Sequence, residues 1–293
     1  MAVTGDAPSG AAVRSMGLTD AWRSFRTAAR LGWAIEANWS DPFLFAVYTV
    51  AKPLAAALIV VVMYNVIAGG DGGRFLQFLI VGAALWNVVQ GVMSGFVQSI
   101  LEDRERYRMM KYVVVTPSSL FPFLLGRSLA RTAVAVVAVV LTLGVGIVFL
   151  GVELRPDPPM LVAATFLGLT AVMALGIFMA GWCLQLRQEA WSYPEAVAGA
   201  LYLVSGAIFP VDTLPEVVRP IAWILPTTWW LEASRRGLLG HGSPGEIGTL
   251  GDGIVLLLLG VTTAIVVPLA LAAYAWFMRR ARQSGILDMV TGS

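Results

Sequence analysis

Apolar residues run along this chain in blocks longer than the alternation of a strand or the half-apolar stripe of a soluble helix. Blocks at 43–67, 75–100, 120–150, 160–184 and 254–278 each exceed the roughly 20 residues that carry a helix across a bilayer. A sixth block, 194–209, is short by several residues. The third is too long for one upright crossing, so its first part, with Arg127 and Arg131, is expected at the interface and 132–150 as the charge-free span. Pro268 predicts a kink in the last span, and Arg279, Arg280 and Arg282 predict its end. Ahead of the first block, Leu18, Trp22, Phe25, Ala29 and Trp33 recur on one helical face edged by Arg23, Arg26 and Arg30. That pattern predicts an amphipathic helix over 18–37 lying in the headgroup layer.

The interruptions are as informative as the blocks. Between the second and third lies 101–117, which carries Glu102, Asp103, Arg104, Glu105, Arg106, Arg108 and Lys111. Each ionised group at the bilayer centre would cost about 2.5–3.5 kcal/mol on the lenient insertion scale, so the run is expected in water. The spacings Glu102 to Arg106 and Asp103 to Arg106 suit a short solvated helix, ended by Thr116, Pro117 and Ser118. Arg127 and Arg131, one turn apart, can reach either lipid phosphates or Glu102 and Asp103. A short loop at Arg187 to Glu189 faces the same side.

Within the spans, polar residues are few. Lys52 either snorkels to the surface or faces a wet cavity that meets an anionic group. Asn87, Gln90, Ser94 and Gln98, spaced three, four and four, share one helical face beside Gly91 and Gly95. That face packs on another helix or lines a route, since amides in lipid need partners. After the short fifth block, Pro210, Pro215, Pro220 and Pro226 cut the apolar stretch 221–231 into pieces too short to cross. A capping box from Thr213 to Glu216, a cap at Thr228 and a stop at Gly240 predict two half-helices within 209–240, dipping into the outer leaflet. Trp223, Trp229 and Trp230 are then expected at headgroup level, and His241 in a surface loop.

Composition sharpens this. The 293 residues are 58% hydrophobic and 13% charged, against about 25% charged in soluble domains, so the expectation is an all-α integral membrane protein. A net charge of +2 without a basic patch argues against nucleic-acid binding. Residues 1–17 lack an apolar core and read as a disordered tail and not a cleavable signal. Residues 38–280 hold the spans, and 281–293 form a second tail. Most basic residues outside the helices fall on the side of the N-terminus: Arg14, Arg23, Arg26 and Arg30, the charged run, Arg187, and the closing arginines. Arg74, Arg155, Arg219, Arg235 and Arg236 fall on the other. This excess orients both termini and the charged run towards the cytoplasm.

Catalytic chemistry finds no foothold. One cysteine, Cys183, and one histidine exclude an internal disulfide and a cysteine zinc site, and the carboxylates are scattered over both sides, so no metal site is expected. The only lysines, Lys52 and Lys111, do not follow glycine, so there is no phosphate-binding P-loop. Gly240-His241-Gly242-Ser243-Pro244-Gly245 fits a dinucleotide fingerprint literally but follows a half-helix and contains proline, the wrong context. Any ATP must be hydrolysed on another chain.

The sequences LEDRERYRMMKYVVVTPSSLFPFLLGR after the second span and IFPVDTLPEVVRPIAWILPTTWWLEASRRGLLG after the fifth together resemble the membrane subunit of type 2 ABC exporters. That family includes drug, teichoic acid, O-antigen and nodulation-factor exporters. The resemblance implies a six-span permease in a prokaryotic cell membrane, with no cofactor of its own and with ATP and magnesium on a partner ATPase present in two copies. It implies a coupling helix bearing Glu102, Asp103, Arg104, Arg106, Arg108 and Lys111, with a lesser ATPase contact at Arg187 and Glu189. It also implies outer re-entrant helices that include Pro210, Pro215, Glu216, Pro226, Trp229, Glu232 and Arg235, and a second permease protomer, identical or a sister chain. The route would lie between protomers, with Lys52, Tyr64, Trp86, Asn87, Gln90, Ser94, Gln98 and Tyr202 as lining candidates for an amphipathic drug, lipid or lipid-linked glycan. The aromatic members of that set suit core packing equally well. Two rivals remain: a channel or scaffold that works without an ATPase, and a membrane enzyme, which would need paired acids or a nucleophile at one depth.

Overall fold

The computed structural model describes residues 18–37, 73–106, 120–186 and 192–284, with further helical positions at Phe43, Val47, Ala51, Ala55, Leu58, Ile59 and Val62. Those seven positions are all exposed and recur at three- or four-residue intervals, with Leu58 and Ile59 adjacent, as one outward helical face does. The long elements are α1 (Leu18–Ala37), α2 (Arg74–Leu101), α3 (Leu120–Leu150), α4 (Pro158–Cys183) and α9 (Asp252–Ser284). Between α4 and α9 come α5 (Tyr193–Val204), α6 (Arg219–Ile224), α7 (Pro226–Leu239) and α8 (Glu246–Thr249). A π turn, Glu102–Arg106, extends α2, and a 3-10 turn, Val211–Thr213, precedes α6. No strand occurs among the described residues.

Among the described residues, four helices, α2, α3, α4 and α9, are long and apolar enough to cross a membrane. Of the four, α2 is the one buried on nearly every side, and it stands at the centre, in contact with α3, α4, α5 and α7. Val81, Val89, Val92, Phe96 and Val97 on it are wholly enclosed. By contrast α3, α4 and α9 turn Val140, Phe149, Val162, Phe166, Leu257 and Leu269 outward. Water would penalise each such side chain by about 1.5–3 kcal/mol relative to burial, whereas hydrocarbon would not. The bundle is an integral membrane protein.

Lipid offers helices no hydrophobic drive to associate, so close packing must supply it, and small residues mark the contacts. Gly91 and Gly95 of α2 lie against Ala135 and Ser128 of α3. Gly176 of α4 receives Phe96 and Met93, Gly181 receives Tyr274 and Phe277 of α9, and Gly168 lies beneath the Trp230 indole of α7. Gly126 of α3 touches the Phe25 carbonyl and Ala28 of α1, while Gly32 of α1 backs onto the Arg127 main chain. A Cβ at Gly32, Gly91, Gly126, Gly168 or Gly176 would overlap its neighbour, and one at Gly95 or Gly181 would be tightly pressed. The contact face of α1 is thus its small-residue side, and Trp22 and Trp33 stay exposed.

Several local expectations are corrected. Helix α9 continues through Arg279, Arg280 and Arg282 to Ser284, because basic side chains at a helix C-terminus favour the helix dipole. Helix α5 stops at Val204, with Gly206 left-handed at φ 72°; its 12 residues span about 18 Å against a core of about 30 Å. The Thr213–Glu216 box does not form: Thr213 Oγ1 donates to the Pro210 carbonyl at 2.7 Å, Glu216 is exposed in a turn, and α6 begins only at Arg219. Helix α7 begins two residues before Thr228, with Pro226 in the first turn, where its missing N–H costs nothing. Gly240 closes that helix at φ 72°, as its position suggested.

Candidate functional site

Two ends of the bundle differ in chemistry. At one end meet α1, the end of α2, the start of α3, and the C-termini of α4 and α9, the last two joined by Gln185 Nε2 donating to the Phe277 carbonyl at 2.8 Å. Arg127 and Arg131, one helical turn apart on α3, face the π turn. The wider π turn places consecutive acids, Glu102 and Asp103, on the same inward side. Arg127 Nη2 sits 3.1 Å from Glu102 Oε2 and 3.2 Å from Asp103 Oδ1. Arg131 Nη2 sits 3.2 Å from Glu102 Oε1 and 3.4 Å from Glu36 Oε2 of α1. Arg104 Nη1 reaches the carbonyls of Cys183, Leu184 and Leu186 at 3.4–3.5 Å, a cation on the C-terminal end of α4.

This corrects the reading of the charged run as wholly solvated. Glu102, Asp103 and Arg104 are buried, and the acids pair across helices with α3. The reason is partner supply: Arg127 and Arg131 neutralise acids that would otherwise need water. Of the two partners considered for those arginines, the acids are the ones they meet. Arg106 closes the π turn, whereas Arg108, Lys111, Arg187 and Glu189 lie outside the described residues. Because Arg104 touches the Leu186 carbonyl, the end of the π turn and the chain following α4 lie side by side. Glu36, which ties α1 into the cluster, carried no signal beyond being an acid at a helix end.

Along the centre, α2 is buried except for a stripe that contains Asn87, Gln90, Gly91, Ser94 and Gln98. Asn87 Nδ2 donates to the Ala83 and Ala84 carbonyls at 3.0 and 3.3 Å, and Ser94 Oγ to the Gly91 carbonyl at 3.2 Å. Their polarity is met within their own helix, which leaves the face half open without an unpaired amide N–H at Asn87. The glycines beside them do pack, on α3 of the same chain. Trp86 is buried with its ring 4.9 Å from that of Tyr202 on α5, a packing contact. Lys52 and Tyr64 lie outside the described residues.

The opposite end is built on α7. Arg235 is buried, donates from Nη2 to the Gly206 and Ala207 carbonyls at 2.9 Å each, and lies 3.8 Å over the Phe78 ring of α2. It therefore pins the turn that follows α5 against α2. Glu232 accepts from Arg236 Nε at 2.7 Å and from the Ser243 N–H at 3.2 Å, while Arg236 Nη1 donates to Asp252 Oδ1 at 2.7 Å. Ser205 and Thr227 share a buried hydroxyl bond of 2.7 Å. Arg235 and Arg236, which the sequence marked only as basic residues of the outer side, are both buried among carbonyls and acids. Trp229 and Trp230 are core residues and not headgroup anchors; Trp229 Nε1 donates to the Trp223 carbonyl at 2.7 Å, and only Trp223 is exposed. His241 is half-buried, its Nε2 3.1 Å from Gln77 Oε1 of α2. Pro210 and Pro215 flank the 3-10 turn.

A central apolar helix with a polar stripe, outer helices clad in apolar side chains, and ionic clusters at the bundle ends define a polytopic membrane protein with the furnishings of a transport subunit. The sequence model of the ABC-2 type transporter family matches residues 29–239, and the chain belongs to that family of membrane permease components, which are not themselves catalytic. No curated relative matches the chain.

Proposed function

We propose that this chain is the permease of an ATP-driven exporter, working as a dimer of membrane subunits with two separate ATPase subunits that hold ATP and magnesium. In this reading 43–67 and the α5 region complete six spans, 209–240 is the outer re-entrant region, and α1 lies at the cytoplasmic interface. Both termini then face the cytoplasm of a prokaryotic cell. The cargo is an amphipathic drug, lipid or lipid-linked glycan, passing the stripe of Asn87, Gln90, Ser94 and Gln98.

The supporting observation is the buried cluster of Glu102, Asp103, Arg127 and Arg131, which stands immediately ahead of 107–117. A partner that grips that segment pulls on α2, α3 and, through Arg104 and Glu36, on α4 and α1 together. Closed and open ATPase states shift the permease only if they bind its two conformations differently, and a rigid ionic joint transmits that difference to all four helices. The test is a cysteine at Arg106 in the purified complex. Cross-linking to the ATPase that changes between nucleotide-free and ATP-bound states is expected, and no cross-link in any nucleotide state refutes the coupling role. Transport by the permease alone, without ATPase, would instead favour a channel.

A further inference from the structure

Helix α1 carries a second face that its packing leaves open. Small residues, Ala28 and Gly32, meet α3, while Trp22 is 62% and Trp33 52% exposed. Helical spacing sets Trp22, Arg26 and Trp33 in one line and Arg23 and Arg30 in the next, so all five occupy an arc of about 100°. The three arginines are exposed and have no acid partner among the described residues, unlike Arg127 and Arg131 beside them. The pattern repeats on α9, at the same end of the bundle, where the Arg280 guanidinium lies 5.4 Å from the Trp276 ring and both residues are exposed.

We infer that this face of α1 is a docking surface for the headgroups of anionic phospholipid, selecting them over zwitterionic lipid. Indoles on one edge settle at the acyl–headgroup boundary, and guanidiniums on the other form forked hydrogen bonds to phosphate. A zwitterionic headgroup also offers phosphate, but its ammonium cancels the field that three unpaired guanidiniums create; an anionic leaflet complements it. Glu36, bonded to Arg131, lies on the same helix about 40° round from Trp22, between the lipid-facing arc and the packed Ala28 and Gly32, so lipid attachment holds the helix that braces the ionic cluster. This inference needs only that the chain resides in a bilayer, and it stands or falls apart from the export reading.

Thr27 is exposed next to the arginines, and the native thiol, Cys183, is buried, so Thr27→Cys can be labelled selectively with a fluorophore. The labelled full chain is reconstituted in phosphatidylcholine vesicles that contain, at equal mole fraction, nitroxide-bearing phosphatidylglycerol or nitroxide-bearing phosphatidylcholine. Quenching by the anionic lipid is expected to exceed that by the zwitterionic one at least about threefold, to shrink in 0.5 M salt, and to equalise in R23Q/R26Q/R30Q. Equal quenching in the unsubstituted helix, or a preference that survives the triple substitution, overturns the proposal. A label on the exposed Val162, at the far end of the bundle, reports the bulk lipid and is expected to show no preference.

Discussion

Replacing Arg127 by leucine probes the ionic cluster where it is most enclosed. Its side chain is 3% exposed and that of Asp103 1%, so removing the guanidinium strands a carboxylate that must either stay charged in a dry site or take up a proton. Breaking a buried pair from one side costs about 3–5 kcal/mol. Arg131 still serves Glu102, so most of the loss falls on Asp103. At about 2–4 °C per kcal/mol, the melting temperature of the detergent-purified protein should fall by about 6–20 °C. Asp103→Leu alone should cost less, because Arg127 keeps Glu102 at 3.1 Å. The double variant, with both partners apolar, should recover much of the loss, giving a coupling of about 0.5–3 kcal/mol in the cycle. Additive effects within about 0.5 kcal/mol would mean that the pair contributes nothing specific, and the account of the joint would be wrong.

Four further outcomes are expected. Gly126→Val, whose new carbons meet the Phe25 carbonyl and Ala28, should lift α1 from α3 and show as faster limited proteolysis within 18–37, with the melting temperature little changed. Gly168→Val should push Trp230 out of place and cost about 1–3 kcal/mol by thermal unfolding, with partial rescue by Trp230→Leu. Arg235→Ala leaves the Gly206 and Ala207 carbonyls unpaired and should cost about 1–3 kcal/mol, while Arg235→Lys should fall between, a point charge replacing a planar fork. Asn87→Leu should leave stability within about 0.5 kcal/mol, since its amide bonds only carbonyls of its own helix, yet lower substrate-stimulated ATPase activity of the complex if the stripe borders the route.

Long apolar blocks located α2, α4 and the start of α9 to within a few residues, because membrane insertion depends on local hydrophobicity summed over a helix length. Proline at 226 and glycine at 240 bounded α7 for equally local reasons. Thr213 and Thr228 misled because a capping motif competes with whatever the surrounding fold makes of the same backbone, and here a 3-10 turn and an earlier helix start prevailed.

The sequence by itself determined that this is an all-helical membrane chain, that Arg127 and Arg131 share a helical face within reach of two acids, and that α2 carries a polar line. Only the tertiary structure decided that Arg131 also binds Glu36, that Arg104 seats on the end of α4, and that Arg235 holds the turn after α5. Periodicity is a property of neighbouring residues and can be read along the chain. The choice of partner for a buried charge is made by whichever distant segment brings a counter-charge or a bare carbonyl to the same point, and nothing in the local pattern records which segment that is.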